Sequence, residues 1–347
     1  MLKVAFDYSD SGGHSKRGVG AYAEGLIESL KKVKDLKLDV FDVKGKDLSK
    51  YDLVHYPFFH PYFITLPLIK KTKIVVTIHD LIPLLFPKYY PPGIKGKIRF
   101  CLQKLLLKQV SKVITVSETS KKDIVKILGI PESKIYVVYN GINEKVYSVN
   151  DQNKLRLIKE KYNLPDKFIF YVGDVNYNKN LFNLATACKE ANISLVIAGK
   201  KAGEDKIEGG NIELKPFAEF LDQFGKDPLI KRIGYIPYED LGTIYSIASL
   251  YCQPSLAEGF SLALLESFNC GCPVVASNIP VHREIAGNAA LFAETNAKDL
   301  EEKIKKVLED SNLRNDLIKK GLERVKKFSW EKAAKETFEI YKKVANQ

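Results

Sequence analysis

Short apolar runs rich in β-branched residues alternate with amphipathic helical stretches along almost the whole chain. Six runs form a first series, at residues 4–8, 38–43, 53–55, 74–78, 112–116 and 135–138. Six more form a second series, at residues 168–172, 195–198, 232–234, 250–253, 273–277 and 290–292. Because strands buried on both faces read as continuous apolar runs, this alternation predicts an α/β fold with parallel sheets covered by helices.

The two series predict two doubly wound, Rossmann-like domains in this chain of 347 residues, which is too long for one ordinary core. We expect the first domain to comprise residues 1–163 and the second to comprise residues 164–329. The last helix, within residues 330–347, follows the second series and is expected to cross back to the first domain. Ligands bind outside the carboxyl ends of strands in such sheets, so two facing domains would form a cleft there.

The composition excludes several classes of protein. Hydrophobic residues make up 45% of the chain and charged residues 28%, which is typical of a globular protein. Cys270 and Cys272 form a C-x-C pair without a second pair, which favours buried thiols in a reducing cytosol over a zinc site. His60 and two prolines interrupt the most apolar stretch, so it is not a membrane span. No basic segment precedes the first strand, and we therefore expect a cytoplasmic protein without a signal peptide.

Positive charge is concentrated in the first predicted domain. Residues 1–163 hold 29 Lys and Arg against 16 Asp and Glu, while the whole chain carries a net charge of +12. One interpretation is an anionic partner, such as a lipid-phosphate acceptor or a peripheral contact with an anionic membrane on the inner face; the other is a solvated lysine-rich surface. No nucleic-acid-binding motif is present, which makes nucleic acid the least favoured partner.

The tract from Tyr89 to Val113 alternates lysines with large apolar residues. It predicts either an interfacial amphipathic helix or a core-facing helix with a basic outer face.

The most specific motif follows the predicted strand 250–253. Glu258-Gly259-Phe260 forms a turn, Ser261 and Leu262 begin a helix, and Gly271, with Pro273 two residues later, ends that helix. The backbone amides of Phe260, Ser261 and Leu262 lie at the positive end of the helix, which suits a diphosphate. We expect Glu258 to reach a sugar and Glu266 to accept hydrogen bonds from ribose hydroxyls.

Two further candidates stand at strand ends. Lys179 lies in the loop after strand 168–172, where its charge could neutralise a departing diphosphate. His79 ends strand 74–78 and could bind a hexose hydroxyl or present its backbone carbonyl to the reacting centre. Asp80 is expected to cap the following turn.

The glycines of Arg17-Gly18-Val19-Gly20 match part of a dinucleotide-binding fingerprint. Nine residues separate Gly18 from the end of the first strand, whereas that fingerprint places its glycines directly after the strand. The segment is instead expected to be a loop that closes over phosphate or acceptor. In the second series, Gly173, Gly199 and Lys200 follow two strands, and Tyr235 follows a third. These residues are candidates for binding the nucleotide, with simple turn geometry as the alternative.

These motifs together resemble family 4 of the retaining glycosyltransferases, also called glycosyl transferases group 1, whose signature is two glutamates separated by seven residues. The resemblance covers most of the chain and extends to Val116-Ser-Glu-Thr-Ser120, Asn140-Gly-Ile142, Tyr171-Val-Gly173, Lys179-Asn-Leu181, Ile197-Ala-Gly-Lys200 and Arg232-Ile-Gly234. It implies the GT-B fold, with Glu258 and His79 at the transferred sugar, Lys179 at the departing diphosphate and Glu266 at the ribose.

The resemblance also implies transfer of a hexose, mannose being favoured, from GDP- or UDP-hexose to a glycan or lipid-linked acceptor in polysaccharide biosynthesis. The family places an arginine shortly before Lys179, where this chain has Asp174, Asn176 and Asn178, and Arg17 is a candidate substitute. The chain contains no D-x-D triplet and no metal-ligand spacing, so neither a metal nor another cofactor is expected. The alternatives are a catalytically weak subunit that binds sugar nucleotide or glycan, and a nicotinamide oxidoreductase, which the position of the glycines disfavours.

Overall fold

Twelve parallel strands in two six-stranded sheets organise the computed structural model, which describes residues 1–8, 18–207 and 212–347. The chain divides into a first unit of residues 1–141 with 328–347 and a second unit of residues 142–327. Each strand overlaps one of the twelve apolar runs, which confirms the predicted α/β class.

The sheet of the first unit has the strand order β2-β1-β3-β4-β5-β6. Its strands are β1 (Leu2–Asp7), β2 (Leu36–Phe41), β3 (Leu53–Tyr56), β4 (Lys73–Ile78), β5 (Lys112–Thr115) and β6 (Ile135–Val137). Its helices are α1 (Val19–Leu30), α2 (Ile82–Leu85), α3 (Gly93–Leu107) and α4 (Glu118–Asp123), which continues into a π-helical turn (Ile124–Leu128).

The sheet of the second unit has the order β12-β11-β10-β7-β8-β9, so the direction of winding reverses between β7 and β10. Its strands are β7 (Phe168–Val172), β8 (Ser194–Ala198), β9 (Ile230–Gly234), β10 (Leu250–Gln253), β11 (Val274–Ser277) and β12 (Leu291–Ala293). Its helices are α5 (Gln152–Lys161), α6 (Leu181–Glu190), α7 (Lys215–Phe224), α8 (Tyr238–Ile247), α9 (Leu262–Asn269), α10 (Pro280–Ala286), α11 (Ala297–Glu309) and α12 (Ser311–Val325). In doubly wound sheets, such a reversal opens a crevice at the carboxyl ends of the strands, where ligands bind.

The final helix, α13 (Trp330–Ala345), returns to the first unit as predicted. It packs along α1, where a Cβ on Gly25 would lie 2.3 Å from the Trp330 ring, so only glycine permits this approach. Farther along the helix, the Tyr341 hydroxyl hydrogen-bonds to the buried His55 ring on β3.

The boundary between the units lies earlier than the predicted one at residue 163. Helix α5 packs against α8 of the second unit, and both Lys161 Nζ and the Tyr162 hydroxyl donate to Asp240, at 2.6 and 2.7 Å. Residues 142–163 therefore join the second unit through contacts between residues far apart in sequence. No helix within the described residues combines the length and apolar character needed to cross a membrane.

Candidate active site

An ion pair spans the point where the second sheet reverses. Lys179 ends a short 3-10 turn after β7, and Glu258 lies in the turn after β10. The Lys179 Nζ and Glu258 Oε1 atoms are 2.7 Å apart, with side chains only 17% and 9% exposed. The crevice expected from the sheet topology therefore contains two of the three predicted catalytic residues in direct contact.

Asparagines after β7 hold these two loops together. Asn178 Nδ2 donates to the Ala257 carbonyl at 3.0 Å, and the Leu256 amide donates to the Asn178 carbonyl at 2.7 Å. Asn180, at a positive φ of 56°, donates through Nδ2 to the Pro254 carbonyl at 3.0 Å. The segment where the resemblance expected an arginine thus contains an asparagine that aligns Lys179 with Glu258.

The Glu258 carboxylate is fixed from several directions. Its Oε1 atom accepts hydrogen bonds from Gln253 Nε2 at 2.9 Å and from Ser255 Oγ at 2.7 Å, in addition to the bond from Lys179. Burial by itself would raise the pKa of Glu258, but the Lys179 ammonium and the hydrogen bond from Ser255 outweigh it and lower the pKa. Glu258 is therefore a rigid carboxylate, ionised at neutral pH and able to accept hydrogen bonds.

Sequence reasoning assigned no role to Gln253 or Ser255. The Tyr251 hydroxyl donates to Gln253 Oε1, which leaves the Gln253 amide nitrogen to donate to Ser255 and Glu258. The available signal was the alternation of three polar side chains, at residues 251, 253 and 255, along an otherwise apolar strand and its end.

His282 on α10 is a second residue that the sequence did not single out. Its ring is fully buried, and Nδ1 contacts the Ser277 hydroxyl at 3.0 Å and the Ser277 carbonyl at 3.1 Å. The Ser277 hydroxyl donates to the Ser255 carbonyl at 2.5 Å, so Nδ1 carries the imidazole proton. Nε2 then has no hydrogen-bond partner among the described residues. Burial lowers the pKa of His282 to about 4, although the Glu258 carboxylate acts in the opposite direction.

The start of α9 follows Glu258 directly. Gly259 and Phe260 are buried, and Ser261 is the N-cap at a φ of 80°, a left-handed conformation unusual for a residue other than glycine. Leu262 begins the helix, whose first amides lack acceptors within it. The N-terminus of α9 is therefore positioned to bind an anion, and the strained residue beside it is typical of a functional turn.

Glu266 lies on the second turn of α9 and is half-buried. The Tyr245 hydroxyl lies 3.3 Å from both Glu266 Oε2 and the Ala263 carbonyl, which orients the glutamate against α8. The structure thus brings both signature glutamates to the same short segment at the carboxyl edge of β10.

The remaining candidates of the second unit follow the three strands on one side of the reversal. The Gly173 amide donates to the Ala198 carbonyl at 3.0 Å, and the Gly199 amide donates to the Gly234 carbonyl at 2.8 Å. Lys200 and Tyr235 are exposed beside them. These residues share the edge of the sheet with Lys179, and their role toward a nucleotide stays a prediction.

A Gly199→Ala substitution is expected to reduce the free energy of unfolding by about 3 kcal/mol, because backbone must move to accommodate a methyl group. The added Cβ would lie 2.0 Å from the Gly173 carbonyl oxygen. Urea unfolding would measure the loss. Gly271→Ala is the control, since Gly271 has a φ of 67° but its Cβ would meet nothing closer than 3.8 Å. Equal losses for both variants would contradict the steric explanation.

His79 belongs to the first unit, at the end of β4. Its Nε2 donates to the Pro57 carbonyl at 2.9 Å, so Nδ1 is the hydrogen-bond acceptor of the ring. Its backbone carbonyl already accepts a hydrogen bond from Ser120 Oγ at 2.8 Å. Burial lowers the pKa of His79 to about 4, which keeps the ring neutral. The imidazole thus offers an acceptor to a hydroxyl group, while its carbonyl has a structural partner.

The other candidates of the first unit lie at the start of α1. Gly18 has a φ of 62°, and Val19 and Gly20 form the first residues of the helix. The prediction that these residues belong to a loop is therefore wrong for Val19 and Gly20, while Arg17, the proposed substitute for the second cation, lies outside the described residues. Among the described residues, no group of three or more His, Cys, Asp or Glu side chains is arranged to hold a metal ion.

Comparison with family models gives two matches that together cover most of the chain. The model "Glycosyl transferases group 1" matches residues 156–324, and the model "Glycosyltransferase Family 4" matches residues 35–146. The chain is 28% identical over 280 residues to the O-antigen chain mannosyltransferase B of Escherichia coli, covering 78% of this chain and 70% of that one. A serotype-specific mannosyltransferase of the same organism is 27% identical over 274 residues, which are 76% of this chain but only 32% of that longer protein.

Solved structures are similar over the whole chain. A sucrose-phosphate synthase from Thermosynechococcus elongatus superposes with a TM-score of 0.74 at 19% identity, covering 99% of both chains. HepE from Anabaena in complex with UDP-glucose superposes with a TM-score of 0.75 at 15% identity, covering 99% of this chain and 100% of that one. At these identities the likeness shows a shared fold.

Proposed function

Because the chain belongs to the group 1 glycosyltransferases and has their GT-B fold, we propose that it transfers a hexose from a nucleotide diphosphate sugar to a glycan or lipid-linked acceptor, with retention of anomeric configuration. Mannose is the favoured hexose, carried by GDP or UDP, because the two relatives described above are named as mannosyltransferases. The second unit would bind the donor.

The observation that carries this proposal is the buried pair of Lys179 and Glu258 beside the N-terminus of α9. A donor of this class presents a diphosphate and a sugar joined at one bond. The helix amides and the Lys179 ammonium would face the diphosphate, while Glu258 would accept hydrogen bonds from the sugar hydroxyls. Glu266 would hold the ribose from the second turn of the same helix.

In the proposed reaction, the bond between the anomeric carbon and the phosphate oxygen breaks, and the acceptor hydroxyl oxygen bonds to the same carbon from the same face. The hydroxyl proton passes to the departing phosphate oxygen, so no protein base is needed. Negative charge develops on that phosphate in the transition state, and a preorganised cation and helix amides stabilise it there. Glu258 orients the sugar, because its Oε1 atom is already held by three donors.

We propose that no metal ion takes part, with Lys179 and the amides of α9 bearing the charge of the leaving group. Addition of EDTA is then expected to leave the transfer rate unchanged. A transfer rate that falls in EDTA and recovers when Mg²⁺ or Mn²⁺ is added back would contradict this part of the proposal.

A catalytically weak binding subunit is the alternative, favoured by the asparagine that occupies the position of the second cation in the loop before Lys179. Slow hydrolysis of the donor separates the two functions, because a competent transferase site also passes sugar to water at a low rate. Tight donor binding without any hydrolysis or transfer would favour the binding subunit.

Glu266→Ala is expected to raise the Kd for the donor about tenfold, because one charge-assisted hydrogen bond to the ribose would be lost. Calorimetry with GDP, UDP and their hexose derivatives measures this and identifies the nucleotide. The matched control is Glu219→Ala, which removes an exposed glutamate from α7. Unchanged affinity in Glu266→Ala, with the fold intact by circular dichroism, would refute the assignment of Glu266.

A further inference from the structure

Helix α3 of the first unit exposes a stripe of apolar side chains to solvent. Ile94, Ile98 and Leu105 are 81%, 65% and 57% exposed, and Cys101, which lies between them on the helix, is also exposed. At 3.6 residues per turn, these four positions fall within a sector about 60° wide. Large aliphatic side chains aligned in this way form a continuous apolar surface, which scattered exposed residues do not.

The rotation of α3 about its axis is fixed by its opposite face. Gly96, Gln103, Leu106 and Leu107 are buried there. Gln103 Nε2 donates to the carbonyls of His60 and Phe63, at 3.0 and 2.7 Å. The apolar stripe therefore cannot turn inward, and the helix has one apolar face toward the protein and another toward solvent.

Cations border the stripe on both sides. On the helical wheel, Lys97, Lys104 and Lys108 lie along one flank, and Lys95 and Arg99 lie along the other. All five side chains are exposed. The sequence contains no Asp or Glu between Asp80 and Glu118, so no carboxylate offsets this charge along the helix.

The loop packed against α3 has the same character. Phe63, Leu68 and Ile69 are 58%, 62% and 74% exposed, and the exposed Lys70 and Lys71 follow them. Gln103 Nε2 also lies 2.7 Å from Thr65 Oγ1, and its bonds to the carbonyls of His60 and Phe63 tie this loop to the helix. Exposed apolar and cationic side chains therefore continue from the helix into the neighbouring loop.

We propose that this face binds the surface of an anionic phospholipid bilayer, with α3 lying in the plane of the interface. The apolar stripe would enter the boundary between headgroups and acyl chains, and the flanking lysines and Arg99 would reach up to the lipid phosphates. Charge complementarity selects this partner, since an apolar stripe bordered by cations on both sides matches a surface that is apolar beneath an anionic layer. The inference does not depend on the transfer reaction.

The experiment measures flotation of the full chain with vesicles of phosphatidylcholine alone and with added phosphatidylglycerol. Binding is expected only with the anionic lipid and should weaken as salt is raised, because screening reduces the attraction of the lysines. The double variant Ile94→Ser/Ile98→Ser should bind about tenfold more weakly, since two apolar side chains no longer enter the interface. Leu157→Ser/Leu322→Ser is the matched control, because these leucines are 58% and 40% exposed in the second unit.

Cys101 supplies an independent readout, because the other four cysteines are buried. An environment-sensitive fluorophore on Cys101 is expected to shift to the blue on anionic vesicles and to be quenched by brominated acyl chains. Equal binding of native chain and Ile94→Ser/Ile98→Ser, equal binding to both vesicle types, or no binding to either would overturn the proposal. So would a dimer without lipid that the same variant dissociates, since a second copy would then be the partner of this face.

Discussion

Replacing Lys179 with Met is expected to slow sugar transfer about a hundredfold, the usual cost of removing one preorganised group that stabilises transition-state charge. In the structure, the Lys179 ammonium lies 2.7 Å from Glu258 at the reversal of the second sheet. Without this ammonium, the departing diphosphate would keep only the amides of α9. The measurement is the transfer rate at saturating donor, with the Kd for the donor determined separately.

The same substitution is expected to reduce the free energy of unfolding by about 3 kcal/mol, because it leaves a buried carboxylate without its counter-ion. The largest effect that opposes burial would be lost, and the hydrogen bonds from Gln253 and Ser255 would remain, so the pKa of Glu258 should rise. The acid limb of any residual pH–rate profile should move to higher pH accordingly.

A double substitution separates catalysis from stability. Lys179→Met/Glu258→Gln removes both charges, so it should regain most of the lost stability without regaining activity. Lys189→Met is the matched control, because Lys189 pairs with Asp227 at the same distance of 2.7 Å but is 44% exposed. Normal transfer by Lys179→Met combined with low stability would show that the ion pair is structural only.

Acidification from pH 8 to pH 5 is expected to destabilise the second unit by about 2 kcal/mol through the neutral ring of His282, and the first unit by about 4 kcal/mol through the neutral rings of His55 and His79. In the first unit, His55 hydrogen-bonds to Tyr341 and Thr77 and is fully buried; burial, with a smaller effect of His79, lowers its pKa to about 3. In the second unit, burial lowers the pKa of His282 to about 4.

The direction follows from proton binding. An unfolded histidine titrates near pH 6.5, so between that pH and the native pKa the unfolded chain binds more protons than the folded one. The stabilisation is complete above pH 6.5 and is lost as the pH falls toward the native pKa, which is about 4 for His282 and about 3 for His55. Glu258, whose pKa is lowered, acts in the same direction: its contribution is present above its unfolded pKa of 4.5 and is lost below it.

Urea unfolding at a series of pH values measures this loss, and NMR titration of the histidine rings assigns it. High salt is the control, because it screens repulsion from the net charge of +12 but leaves burial of the imidazoles unchanged. A stability that stays constant from pH 8 to pH 5 would contradict the prediction.

The sheets could be predicted almost strand by strand. The run 168–172 became β7 and the run 250–253 became β10 without any change of bounds, because strands buried on both faces read as nearly continuous apolar runs. The boundary between the units could not be predicted as well from the sequence. Helix α5 is polar, and nothing local shows that Lys161 and Tyr162 bind Asp240, 79 and 78 residues away.

The candidate site shows the same division. Glu258 and Glu266 could be predicted because their spacing within a strand–turn–helix pattern is specific, and Lys179 because it lies in the loop after a strand, within a motif that resembles the family. Gln253, Ser255 and His282 were not, because each acts through the geometry of its neighbours. A polar residue at the end of a strand, or one histidine in a short helix, has no distinctive signal until its partners are in place.

The sequence by itself determined the class of fold, the number of strands in each sheet and the turn that presents the two signature glutamates, since these depend on periodicity and local spacing. Tertiary structure alone decided which strands are neighbours, and hence that the loops after β7 and β10 meet at the reversal with Lys179 against Glu258. It also decided that the apolar stripe of α3 faces solvent, because only packing of the opposite face fixes the rotation of a helix that is apolar on two sides.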